Sequence, residues 1–139
     1  MTTEGADLQW SLNKLWEAEQ VLQQHFRKRV EKSTEEEKTT SDNDKVIESK
    51  LLSITYNNFA CLYKRKKNPE EALKYLETAL EAERDQLFLA PNKVEANTEH
   101  AGTHLNICAI LSQLKRHWEA IKVAKQALDV LTHADQTVK

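Results

Sequence analysis

Two stretches of the chain repeat one spacing of apolar and small residues, and 48 positions separate their reference alanines, Ala72 and Ala120. Bulky apolar residues one turn apart precede each alanine, and small or apolar residues follow it at four and seven positions. The matching pairs are Tyr56 and His104, Phe59 and Ile107, Ala60 and Cys108, Tyr63 and Leu111, Leu76 and Ala124, and Ala79 and Ala127. Small side chains let two helices cross closely, so the pattern predicts two successive helical hairpins.

The composition favours helices throughout. Only two Gly and two Pro occur among 139 residues, which leaves little material for sheet turns, while good helix formers dominate. The length suits one ordinary domain. We therefore expect an all-α fold.

The apolar spacing predicts five helices. Residues from Leu8 to Val30 form one stripe with Asp7 as its candidate cap, whereas STEEEKTTSDNDK, residues 33–45, has no apolar side chain and is predicted to be a linker. The later helices are expected over 46–63, from Pro69 to about Leu89, from near Asn92 to about Arg116, and over 118–132. The expected organisation is an N-terminal amphipathic helix (1–32), a polar linker (33–45) and a helical hairpin unit (46–139).

The segments YNNFACLY and ALKYLETAL resemble the tetratricopeptide repeat, whose pattern has a bulky residue and Tyr in its first helix and Ala-x3-Phe in its second. The second copy, HLNICAIL with AIKVAKQAL, is degenerate because His104 and Ala124 replace its aromatic residues. The 48-residue spacing exceeds the usual period of about 34 and is similar to the lengthened repeats of kinesin light chains. The resemblance covers residues 46–132 and implies a short α-solenoid of two hairpins preceded by a long helix.

The resemblance also implies a concave, peptide-binding surface lined by the first helix of each hairpin. Asn58 and Asn106 occupy equivalent positions, and in many members an Asn there holds a peptide backbone, since a carboxamide both donates and accepts. The same face is expected to contain Asn57, Lys64, Arg65 and Gln113. The alternative interpretation is that these are solvated polar residues on an exposed helix face.

Other ligand classes have less support. The positions that carry cations in chaperone-tail clamps hold Ile54, Asn57, Gly102 and Leu105 here, although Lys64 and Arg65 favour an acidic peptide. The 20 basic and 22 acidic residues nearly cancel, so no field gathers nucleic acid or an anionic membrane. No apolar run approaches the roughly 18 residues of a membrane span and no secretory signal is evident, which indicates a cytoplasmic protein.

No catalytic or cofactor motif is present, so we expect neither an enzyme nor a cofactor. Cys61 and Cys108 are expected to be buried, reduced thiols. His100 and His104 have the four-residue spacing of metal ligands but lack a completing carboxylate, and such pairs are usually incidental.

The sequence thus predicts a protein interaction module, a scaffold or adaptor, whose likeness to kinesin light chains points to a cytoskeletal or motor-associated setting. The alternative is a structural bundle that forms homo-oligomers through an uncapped apolar face, because solenoids usually need about three repeats.

A calmodulin-like partner is a weaker prediction. LQQHFRKRVEK partly resembles the IQ motif through Leu22, Gln23, Arg27 and Lys32, but Lys28 replaces the central Gly, and a basic helix end over buried Leu22 and Phe26 is favoured.

Overall fold

The structure, a computed structural model, describes residues 3–32 and 41–136. It consists of five helices: α1 (Thr3–Lys32), α2 (Ser41–Arg65), α3 (Pro69–Leu89), α4 (Lys93–Gln113) and α5 (His117–Gln136). The described residues contain no strand, and the predicted all-α fold is confirmed. None of the helices in these ranges is long and apolar enough to cross a membrane.

The two hairpin turns have the same backbone conformation. Lys67 and its counterpart Lys115 have positive φ angles of 60° and 61°. The following amide, that of Asn68 or Arg116, donates to the carbonyl of Tyr63 or Leu111 at 2.9 Å in both turns. A positive φ at a helix end satisfies carbonyls that the helix leaves unpaired. The sequence repeat is therefore also a repeat of backbone structure.

Local capping explains where α3 and α4 begin. The Asn68 side chain accepts a hydrogen bond from the Glu71 amide at 3.3 Å, and Pro69 follows it where the missing amide costs nothing. The Asn92 side chain accepts from the Glu95 amide at 3.1 Å in the same way. Both predicted helix starts are correct to within one residue.

Four predicted boundaries were wrong, and one of them is the end of α5, which lies at Gln136 and not near Thr132. Helix α1 begins at Thr3, before the expected cap Asp7, and α4 ends at Gln113 rather than near Arg116. Helix α2 begins at Ser41, so residues 41–45 are helical and not linker. Asp42 and Asp44 lie in its first turn, where acidic side chains interact favourably with the helix dipole. The remainder of the predicted linker, residues 33–40, lies outside the described residues.

Small residues occupy the helix crossings of both hairpins. Ala72, at 0% exposure, and Ala120, at 4%, lie where α3 packs on α2 and α5 packs on α4. Helix α3 also packs on α4, and the resulting core is formed by Ala60, Ala72, Leu73, Leu76, Ile107, Ile110, Leu111 and Ala120. The two hairpins are therefore joined by one continuous apolar core.

Helix α1 packs against α2 at the other end of the array. Leu12 is almost fully buried beside Phe59, whose ring stacks on Tyr75 with centroids 4.6 Å apart. The Tyr56 hydroxyl donates to Glu19 Oε1 at 3.2 Å, and burial raises the pKa of Tyr56 above its ordinary value. The long N-terminal helix thus covers the first hairpin instead of standing apart from it.

Enlarging Ala72 tests the crossing. Ala72→Leu is expected to lower the free energy of unfolding by about 1–3 kcal/mol, because the extra methyl groups force α2 and α3 apart. Urea denaturation followed by circular dichroism measures the change. The matched control is Ala18→Leu, at an exposed position of α1, which should be nearly neutral. Equal stability of the two variants would contradict a close crossing at Ala72.

Candidate functional site

Helices α2 and α4 lie side by side and run in the same direction. Near their N-terminal ends, Lys50 Nζ contacts Glu95 Oε1 at 3.0 Å and Glu99 Oε1 at 3.3 Å. One turn past midway, Asn57 Nδ2 donates to Thr103 Oγ1 at 3.3 Å. This pair of first helices forms the open surface on which the sequence analysis placed its candidate residues.

Three of those candidates meet in one place. Asn106 Nδ2 donates to Asn57 Oδ1 at 3.1 Å, across the junction of the two hairpins. Asn57 is half-buried, and its Nδ2 also donates to the Ser53 carbonyl at 3.0 Å. Asn58 is exposed and makes no hydrogen bond to another described residue. Asn57 therefore holds the two helices together, while Asn58 presents an unused donor and acceptor.

The other three candidates are spread along the surface. Lys64 lines a cavity of about 170 Å³ together with Asn57 and Asn106. Arg65 lies on the opposite side of α2, where it lines a cleft against α1 that includes the exposed Trp10. Gln113 is the exposed last residue of α4 and borders neither cavity.

The open cleft between the two helices, hereafter the α2–α4 groove, has a volume of about 360 Å³. Its lining residues are Lys50, Ser53, Ile54, Asn57, Asn58, Glu83, Glu99, Gly102, Thr103 and Asn106. Ile54 belongs to an exposed stripe of α2 with Ile47, Leu51, Asn58 and Cys61, which recur every three or four residues. The expectation that Cys61 is buried was wrong for this reason, since its position faces the open surface.

Gly102 leaves an open space in the groove, hereafter the hollow. It is the counterpart of Ile54 in the second hairpin, and a Cβ atom placed there would meet no atom of a neighbouring element within 4 Å. A glycine inside a helix lowers stability relative to alanine. The space above Gly102 is therefore open.

A buried carboxylate lies beneath this groove. The Glu83 side chain of α3 is 2% exposed, and its Oε1 accepts from Ser53 Oγ and Thr103 Oγ1, each at 2.5 Å. Its Oε2 lies 2.8 Å from His100 Nδ1. Helices α2, α3 and α4 each contribute to this cluster, so it fixes the position of the second hairpin on the first.

The histidine pair belongs to the same cluster. The rings of His100 and His104 meet edge to face with centroids 4.5 Å apart, and His104 Nδ1 lies 2.9 Å from the His100 carbonyl. His104 is buried, as a core position requires. Within residues 3–32 and 41–136, no group of three potential ligands is arranged to hold a metal ion.

Charge is distributed unevenly along the groove. Glu95 and Glu99 lie at the end of the groove near Lys50. Hydrogen bonds from Lys50 to these two carboxylates raise the pKa of Lys50 above its ordinary value, and the bond to Glu95 has the larger effect. Lys64 lies toward the other end, in the last turn of α2, beside Asn57 and Asn106. The groove thus has an acidic end with one paired lysine and a basic end.

Sequence reasoning missed Glu83 and Gly102. A comparison of the two repeats contains the signal for both, because Glu83 aligns with Leu131 and Gly102 with Ile54. A polar or absent side chain where the other copy has a large apolar one indicates a local requirement that core packing does not explain. The calmodulin-like segment, Leu22 to Lys32, forms the C-terminal part of α1; the side chains of Phe26 and of residues 29–32 lie outside the description.

Comparison with known families agrees with this geometry. The profile of the tetratricopeptide repeat family matches residues 54–86, which correspond to the second half of α2 and nearly all of α3. No curated protein and no solved structure matches the chain. The family match supports a tetratricopeptide-type repeat in the first hairpin, and proteins with such repeats generally bind other proteins.

Removal of the buried carboxylate tests the cluster. Glu83→Ala is expected to lower the free energy of unfolding by about 3 kcal/mol, because it leaves the hydroxyl and imidazole donors buried without an acceptor. Glu81→Ala, which truncates an exposed glutamate of the same helix, is the control and should change stability little. Chemical denaturation measures both variants, and a neutral Glu83→Ala would exclude a role in joining the hairpins.

Proposed function

We propose that this chain is a protein interaction module, a scaffold or adaptor, that binds a segment of a partner protein in the α2–α4 groove. The carrying observation is the pair of equivalent, exposed amides, Asn58 and Asn106, which lie on either side of the groove. One amide from each hairpin at the same register is the arrangement that a continuous peptide backbone requires.

The amides bind the backbone of the segment. Asn58 offers its donor and its acceptor, and Asn106 offers its carbonyl oxygen and the second hydrogen of its Nδ2, whose first hydrogen is donated to Asn57. The hydrogen bond to Asn57 already orders the Asn106 side chain in the folded protein. Part of the conformational entropy of that side chain is therefore lost on folding and not on peptide binding. This arrangement favours a peptide whose main chain runs along the groove.

The hollow above Gly102 binds an apolar side chain of the segment. Ile54 forms one wall, and the exposed Leu51 and Ile47 extend the apolar surface toward the N-terminal end of α2. Burial of an aliphatic side chain there contributes about 1.5–3 kcal/mol. Specificity then depends on one anchoring side chain at a fixed distance from the amides.

The charges at the two ends orient the segment. An acidic residue of the partner belongs near Lys64, and a basic residue belongs near Glu95 and Glu99. The setting that we propose is a cytoskeletal or motor-associated complex, which the resemblance of the repeat spacing to that of kinesin light chains supports. A calmodulin-like partner at Leu22 to Lys32 is a separate, weaker proposal that a pull-down with that peptide tests.

Peptide selection tests the groove. Random peptides displayed on phage are selected on the wild-type chain, and the dissociation constants of enriched peptides are measured by calorimetry. Replacement of both amides, Asn58→Ala with Asn106→Ala, should weaken binding about tenfold, the equivalent of one or two hydrogen bonds. Gly102→Leu should abolish binding while leaving the fold intact, because its side chain fills the open hollow.

Matched controls lie on other surfaces. Asn13→Ala removes an exposed amide of α1, and Thr78→Leu adds a leucine at an exposed position of α3. Neither should change affinity. Selected peptides that bind Gly102→Leu and the double alanine variant as tightly as wild type would refute binding in the α2–α4 groove.

A further inference from the structure

The two hairpins differ in what covers them, although they share one pattern. Hairpin 1 presents a set of residues to α4, and a shift of 48 positions gives the counterparts in hairpin 2. The pairs are Asn57 and Leu105, Leu73 and Ile121, Leu76 and Ala124, Leu80 and Leu128, and Glu83 and Leu131. The second members form what we call the end face of α4 and α5.

The end face is apolar and open. Leu105 is 53% exposed and Leu128 is 60% exposed, and Ile121 and Leu131 are also exposed. By contrast, Leu73, the counterpart of Ile121, lies in the buried core, and Glu83, the counterpart of Leu131, is buried as well. Where hairpin 1 has the polar Asn57 and Glu83, the end face has two leucines. This surface therefore has the composition of an interface and not of a solvated helix.

The opposite end of the array is closed. Helix α1 covers α2, and its own outer side carries Asn13, Lys14, Glu17 and Gln20 beside Trp10 and Val21. Repeat arrays need a polar outer face at each terminus to stay soluble. The described part of the chain has such a face at α1 and lacks one at α5. Because α1 covers α2, the end of one copy cannot stack head to tail onto α2 of another copy.

We propose that the end face binds the end face of a second copy of this chain, which forms a symmetric dimer. The contact between hairpins 1 and 2 shows that the counterpart positions on hairpin 1 pack against a helix. Because α1 occupies the one equivalent receptor surface among the described residues, the same patch serves both copies, and twofold symmetry closes the assembly at two. The contact lies beyond the α2–α4 groove and leaves that groove accessible.

The side chains of α5 favour an antiparallel arrangement. With the twofold axis between Ala124 and Leu128, Ala124 of each copy packs against Leu128 of the other, and Ile121 packs against Leu131. Lys125 then lies about 3 Å along the helix axis from Asp129 of the second copy, within reach of an ion pair.

Sedimentation velocity of the complete chain across a concentration series tests this proposal. Wild type should shift from monomer to dimer as the concentration rises. Leu128→Lys should raise the dimer dissociation constant at least about tenfold, because it places an unpaired cation in the apolar contact. Asp129→Lys should weaken the dimer, and Lys125→Asp combined with Asp129→Lys should restore it, since the exchange regenerates the pair.

The control is Val21→Lys, an equally exposed aliphatic residue of α1 at 65% exposure, which should leave the dissociation constant unchanged. Circular dichroism confirms that each variant retains its helices. A wild-type chain that stays monomeric at every concentration, or a Leu128→Lys variant that dimerises like wild type, would overturn the proposal. Neither result bears on peptide binding in the α2–α4 groove.

Discussion

The close crossing of α2 and α3 at Ala60 and Ala72 is the contact on which the rest of the structure depends. Alanines at the crossing bring the two helices near enough for Phe59 and Tyr75 to stack, and this aromatic pair in turn provides the surface that α1 covers. The same crossing orients Leu73 and Leu76 toward α4. Since Ala120 repeats the arrangement in the second hairpin, the fold is one local solution used twice.

The repeat could be predicted from sequence because it rests on side-chain size at fixed spacing. Residues such as Ala72 and Phe59 have one physical role, so their pattern carries over to structure directly. Helix starts at Asn68 and Asn92 were also predictable, because capping is a local interaction between a side chain and the next turn. Boundaries without such a cap, as at Ser41 and Thr3, follow from weaker preferences and were placed several residues late.

The candidate binding surface was only partly predictable, because it depends on tertiary packing and not on local interactions. Asn57 and Asn58 are neighbours in sequence, yet one pairs with Asn106 across the junction and the other faces solvent. This division depends on how the second hairpin packs on the first, which no local pattern specifies. The buried position of Glu83 likewise depends on partners from three helices. Sequence identifies the face, and tertiary packing assigns the role of each residue on it.

The junction between the hairpins combines two kinds of contact. Leu73, Leu76 and Ile110 supply apolar burial, which stabilises association but tolerates sliding of one hairpin on the other. Glu83 and its hydroxyl and imidazole partners contribute little net free energy, because burial of a carboxylate offsets its hydrogen bonds. A shift of one hairpin along the other would, however, leave that carboxylate buried without its hydrogen-bond partners. The polar cluster therefore fixes the register of the two hairpins. At the end face, Leu131 stands at the position equivalent to Glu83. Apolar burial in the proposed dimer contact therefore has no such polar cluster to fix its register. There the size difference between Ala124 and Leu128 and the charges of Lys125 and Asp129 are the features left to select one arrangement.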